Sequence, residues 1–305
     1  MWNRDFVLLI VAFAIIYVVW GSTYLINYYA IDTIPPFLMS GSRFIVAGAI
    51  MYAISWLRGV PHPSQRQWRN AALSGVLLLA IGTGGVVWAE QYVATSIAAL
   101  IVASDPLVVV LLLWFIYKQR PRWNSLLGIF LSIAGVSILV GQDQFTADQH
   151  TFWGVVVIFG SILSWAFASV FIGKADLPKS TIQVAATQML AGGVFLLFAS
   201  GISQEYKSFS WAAISLRSIY AWTYLIVFGS IIAFSAFNYL LTKVSPEKVA
   251  TSTYVNPVIA MLLGWGFNNE QLTSQSLYAA LLILIGVFFI NSRSSGFLFK
   301  NKKKG

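Results

Sequence analysis

The sequence contains no cysteine, only two histidines, and charged side chains at 10% of 305 positions. Without cysteine there can be no disulfide, thiolate nucleophile or thiolate metal site. His62 and His150 stand in different polar stretches, so neither a metal centre nor a cofactor is expected. The GTGG at 82–85 is followed by no Walker-type lysine, which excludes a primary ATP-driven pump within this chain. Strand-like alternation is absent as well.

What is present is apolar. Hydrophobic residues make up 58% of the chain and mean hydropathy is +0.76, values that place most of it in lipid. Ten apolar runs, near 6–27, 37–57, 70–92, 97–117, 123–140, 152–172, 182–202, 219–241, 247–267 and 276–292, are each read as a spanning helix. Such a helix takes about 17–25 residues. Helices are required because lipid offers backbone N–H and C=O groups no partner. The expected fold is therefore an all-α integral membrane protein with ten transmembrane helices.

The basic residues orient it. With the N-terminus in the cytoplasm, 16 of the 19 Lys and Arg residues face inward, Lys207 and Arg217 face outward, and Arg43 lies within the membrane. The positive-inside rule then puts both termini, including the basic tail 293–305, on the cytoplasmic side of the inner or plasma membrane. The charge of +9 is thus a topology signal, with anionic lipid rather than nucleic acid as the partner of the tail.

The polar gap at 141–153 divides the chain, and the halves superpose. At an offset of 145, Trp20 meets Trp165, Arg43 meets Gln188 and Gly48 meets Gly193. At 147, Gly82 meets Gly229, Glu90 meets Phe237 and Gln91 meets Asn238. At 151, Pro106 meets Pro257 and Gly135 meets Gly286. Two repeats, 6–140 and 152–292, with five helices each must enter the membrane from opposite sides, giving an inverted duplication.

With VVWGSTYLI, SGSRF, VVWAEQYVATSIAALIVASDPL and YVNPVIAMLLGWGFNNEQL, nearly all of 6–292 resembles the EamA-domain branch of the drug/metabolite transporter superfamily. The resemblance implies a ten-helix secondary transporter that exports amino acids, metabolites or drug-like compounds, with a cavity walled by helices 1, 3, 4, 6, 8 and 9. One departure is Gln119, opposite Glu270, where the family often carries an acid after the fourth helix.

The residues themselves also suggest a site. Asp105-Pro106 and Asn256-Pro257 form a repeat-related pair that would break two helices near the bilayer midplane. Trp20, Ser22, Thr23, Tyr24, Trp88, Gln91, Trp165, Asn238, Tyr239 and Tyr254 are candidate solute-binding residues alongside Glu90, Asp105 and Asn256. Rings would supply area and cation–π attraction, while polar atoms orient the solute. A carboxylate or guanidinium at membrane depth costs about 2.5–3.5 kcal/mol, so each should have a partner or a task. Arg43 is expected to pair with Glu90, and Pro106 and Pro257 to act as hinges. Asp105 and Asn256 would satisfy local backbone, leaving Glu90 as the functional acid near the outer surface.

The primary expectation is export of small organic solutes by alternating access, with no enzyme activity. Protons, exchange or the solute's own gradient are the available energy sources. The alternatives are an importer or nucleotide-sugar-type exchanger, or an intramembrane enzyme using Glu90 and Asp105. Anionic solutes would require more intramembrane cations than Arg43, and an enzyme lacks a recognisable dyad or metal cluster.

Overall fold

In the computed structural model, residues 4–118, 121, 123–140, 148–207, 209–244, 249 and 252–291 are described, and among them every extended element is helical. The tail 293–305, Gln119 and positions 141–147 lie outside the described residues. The helices are α1 (Arg4–Ile31), α2 (Pro36–Leu57), α3 (Gln65–Gly75), α4 (Gly84–Ala89), α5 (Thr95–Val102), α6 (Asp105–Tyr117) and α7 (Trp123–Val140), followed by α8 (Gln149–Ile172), α9 (Thr181–Ile202), α10 (Leu216–Tyr224), α11 (Ala233–Lys243), α12 (Ser252–Asn268) and α13 (Ser274–Asn291).

Two π-helical segments, Val76–Thr83 and Leu225–Ile232, join α3 to α4 and α10 to α11. Seven stretches are long and apolar enough to cross a membrane: Asp5–Ile31, Pro36–Leu57, Gln65–Ala89, Thr95–Ile116, Gln149–Ile172, Thr181–Ile202 and Leu216–Lys243. Trp123–Leu139 and Ser274–Phe289 are shorter apolar helices, and α12 has 17 residues.

Local chemistry fixes the helix ends. Ser64 and Gln67 form a reciprocal capping box at α3, while Asp148 and Ser215 accept from Thr151 and Ser218 backbone amides at the starts of α8 and α10. Two more ends are capped from a distance. Glu205 accepts from the Phe37 and Leu38 amides of α2 at 3.1 and 2.9 Å. Glu270, in the turn between α12 and α13, accepts from the Thr95 and Ser96 amides and hydroxyls of α5 and from the Asn268 side chain. A carboxylate suits these places because the free N–H groups and the helix dipole both favour negative charge.

Helix association follows the small residues. The α2–α9 and α7–α13 pairs make the most extensive interfaces. A Cβ on Gly135 would stand 2.9 Å from the Ala279 carbonyl, and one on Gly286 would stand 2.6 Å from the Gly128 carbonyl. Likewise, a Cβ on Gly48 would meet the Ala186 carbonyl at 3.1 Å and one on Gly193 the Gly41 carbonyl at 3.0 Å. Glycine is what permits these backbones to touch. Gly82 serves the same purpose, since its missing Cβ would lie 3.1 Å from the Trp165 ring.

Further neighbours include α1 beside both α12 and the Leu216–Lys243 stretch, α8 beside both α6 and the Gln65–Ala89 stretch, α9 beside the Gln65–Ala89 stretch and α12 beside α5. Phe44, Met51, Leu78 and Met189 lie at the centre of one apolar cluster, and Leu100, Ile101, Ile158 and Ile283 at the centre of another.

Candidate functional site

The two proline positions are not built alike. The backbone leaves its helix at Ala103 and Ser104, where Ser104 N–H donates to Ile101 in a tightened turn, and Asp105-Pro106 opens α6. Pro257 instead lies inside the continuous helix α12. The expectation of two equivalent broken helices is corrected accordingly, because Pro106 stands in the first turn of its helix, where no N–H is missed.

Their polar neighbours differ too. With its nitrogen turned toward them, the Asn256 amide donates to the Ser252 carbonyl at 3.2 Å and the Tyr17 carbonyl at 2.9 Å. Asn256 thus meets the local-backbone expectation and also ties α12 to α1. At Asp105, one oxygen, Oδ1, is buried without a hydrogen-bond partner.

Arg43 lies on α2 and is 4% exposed. Its Nε donates to Ser230 Oγ at 2.8 Å and its Nη1 to Asn27 Oδ1 at 3.2 Å, while the guanidinium lies 4.9 Å from the Phe44 ring centre. Gly229, in the second π-helical segment, makes room, since a Cβ there would be 2.8 Å from Nη2. The expected Arg43–Glu90 pair is not formed, because neutral acceptors from α1 and the π-helical segment take up the guanidinium first. Neither acceptor is among the expected partners of Arg43; Asn27, an amide inside the apolar run YLINYYA, is the one that stands out in the sequence.

Glu90 caps α4 at its C-terminal end and is 1% exposed, so it does not reach water as its position near the outer surface suggests. Both carboxylate oxygens lack a hydrogen-bond partner. Asn27 lies beside the carboxylate without hydrogen-bond geometry, and Arg43 and Glu270 stand within electrostatic reach. Tyr24, half-buried on α1, is within reach of both Glu90 and Asp105.

An aromatic group forms a second centre. Trp20 meets Trp165 edge to face, with centroids 6.2 Å apart, and Phe237 lies 5.1 Å from Trp20 and 6.0 Å from Trp165. Phe237, the repeat counterpart of Glu90, stands outside the set of expected solute-binding residues. Thr23 Oγ1 donates to the Trp20 carbonyl and Asn238 Nδ2 to Phe234, so these two side chains serve their own helices, whereas Ser22 Oγ donates to Val19 and also lies 2.9 Å from the Tyr224 hydroxyl, linking α1 to α10. Tyr239 packs at the margin of the same apolar cluster, with Lys243 Nζ 5.8 Å from its ring centre. The Tyr254 side chain lies outside the described residues.

Gln91 is exposed and donates to the Trp88 carbonyl. With Trp88, Asp32 and Glu205 it lines a surface depression. Gln91 therefore belongs to a rim, not to the buried centre. Among the described residues, no group of three or more His, Asp or Glu side chains is placed to hold a metal ion.

Comparison with known proteins gives a consistent picture. The EamA-like transporter family matches residues 7–141 and again 152–292. A relative from Escherichia coli strain K12, the uncharacterized inner membrane transporter YedA, is 38% identical over 90% of this chain and 88% of its own. The uncharacterized transporter YoaV of Bacillus subtilis is 23% identical over 88% of this chain and 92% of its own. A solved crystal structure at 19% identity superposes with a TM-score of 0.65 over 92% of this chain and 94% of the other, a likeness of fold. The chain belongs to the EamA-like transporter family.

Proposed function

We propose that this protein is a secondary transporter that exports small organic solutes by alternating access, built as ten spanning helices in two inverted repeats, 6–140 and 152–292. The observation that carries the reading is reciprocal packing. Gly135 faces Ala279 and Gly286 faces Gly128, and at the offset of 151 each contact is the other with its partners exchanged. Gly48 with Ala186 and Gly193 with Gly41 are related in the same way at 145. Reciprocal contacts are what a two-fold relation between halves produces. Such a relation, with its axis in the membrane plane, gives a transporter two conformations of nearly equal energy in which the roles of the halves are exchanged.

In this reading both termini are cytoplasmic. The solute passes between the halves, along the aromatic centre of Trp20, Trp165 and Phe237 and past Glu90 and Asp105. Pro106 gives the fourth span a hinge where its helix is already interrupted. Efflux from proteoliposomes loaded with a panel of amines, amino acids and aromatic metabolites, with and without a pH gradient, tests the function. The expected result is saturable release of at least one class, reduced at least tenfold by Trp165→Ala; release no faster than from protein-free liposomes across the panel would refute it.

A further inference from the structure

Glu90 is a buried acid whose obvious counter-ion is held away from it. Arg43 is close enough to act on the carboxylate electrostatically, yet its guanidinium is engaged by Ser230 Oγ at 2.8 Å and Asn27 Oδ1 at 3.2 Å. Neither acceptor is charged. The result is an unpartnered carboxylate, 1% exposed, with both oxygens free of hydrogen bonds. An unpaired acid in so dry a place is costly to retain. Retaining it makes sense where a ligand completes the pairing.

The charges around it define that ligand. On α1 stand Tyr24 and Asn27; α2 contributes Arg43, and the turn before α13 contributes Glu270. Glu90 and Glu270 are two acids against the one guanidinium of Arg43, a balance that favours a cation. Glu270 is already occupied by five donors, so Glu90 is the acceptor with spare capacity. Near neighbours of Glu90 in sequence on either side, Trp88 and Gln91, line a surface depression. The Trp88 ring suits a passing cation.

We propose that Glu90 binds the protonated amine of a solute, and that Asn27 keeps this site open by holding Arg43 off the carboxylate. Asn27 is thus a positioning residue. Removing its amide frees the guanidinium to collapse onto Glu90 and fill the site from within. The inference rests on the transporter reading for its biological setting, but binding itself is measurable without transport.

The test is equilibrium binding of phenethylammonium to detergent-purified protein at pH 7, with phenethyl alcohol as the neutral isostere. Wild-type protein should bind the ammonium at least tenfold more tightly than the alcohol. Glu90→Gln should abolish that preference, and Asn27→Leu should abolish it although Glu90 is intact. The double variant Asn27→Leu/Arg43→Met should regain the preference, a result that loss of folding cannot produce. Absence of an ammonium preference in wild-type protein, its persistence in Glu90→Gln, or its persistence in Asn27→Leu would overturn the proposal. If the binding pattern holds but proteoliposomes show no release of any solute, the site stands and the transport reading fails. Release unaffected by Glu90→Gln, together with no ammonium preference, gives the converse.

Discussion

Trp20 and Trp165, 145 positions apart, meet edge to face with ring centroids 6.2 Å apart and planes at 87°. Each is the other's counterpart in the superposed halves. Under the proposed two-fold relation a residue that touches its own counterpart lies on the axis, so this contact would mark the centre of the proposed translocation path. Phe237, counterpart of the acid Glu90, completes the ring group. The framework is therefore repeated while its charges are not, and the differences between halves are where solute chemistry is expected.

Arg43 should be a stability residue first. Arg43→Ala leaves Asn27 Oδ1 and Ser230 Oγ without their donor in a buried place and removes a guanidinium packed against Gly229. A loss of about 2–4 kcal/mol is expected, read as a fall in thermal unfolding temperature of the purified protein. Adding Glu90→Gln should recover part of the loss, since an acid without its neighbouring cation is then no longer buried. A double variant no more stable than the sum of the singles would contradict this coupling.

The Glu270 cap should be sensitive to acid. Burial works against the charged form, but hydrogen bonds from Ser96 and Thr95 outweigh it and hold the carboxyl below its ordinary value of 4.5. Because the folded-state value is depressed, the cap's contribution is present above pH 4.5 and is lost as the pH falls through the folded-state value. At pH 7, Glu270→Gln should cost about 1–2 kcal/mol, a figure already reduced for partial exposure. Unfolding temperatures of the two proteins should converge as the pH is lowered. A constant gap from pH 7 to pH 3.5 would show that the carboxylate's charge is not what the cap uses.

Reciprocal glycines should fail alike. Gly135→Val and Gly286→Val each force a side chain against the facing backbone, Ala279 in one case and Gly128 in the other. Losses of about 2 kcal/mol or more are expected at each, comparable in size. Thermal unfolding of the single variants checks this; a large loss at one position beside a neutral effect at the other would argue against reciprocal packing.

Much of the fold is legible because lipid makes each spanning stretch one long apolar run. The second run, expected at 37–57, is Pro36–Leu57, and the seventh, expected at 182–202, is Thr181–Ile202. The π-helical segments are not legible, since VLLLAIGT and LIVFGSII have nothing in their composition that distinguishes them from α-helix. The site was legible only as a set of residue types. Arg43 and Glu90 stand out as charges in apolar runs, but which groups each would meet depends on Asn27 and Ser230, brought in by other helices. The likeness of Asp105-Pro106 to Asn256-Pro257 was misleading for the same reason. One begins a helix and the other sits within one, a difference set by neighbours and not by the dipeptide.

The inverted duplication is tested most directly by labelling one loop position and its repeat counterpart from outside the cell. The absence of native cysteine permits single-cysteine variants at Gln65, the exposed first residue of α3, and Ser210, exposed in the connection following α9, which correspond at the offset of 145. With a membrane-impermeant maleimide, the account predicts that Ser210→Cys is labelled in intact cells and Gln65→Cys only after permeabilisation. Labelling of both in intact cells, or of neither, would contradict it.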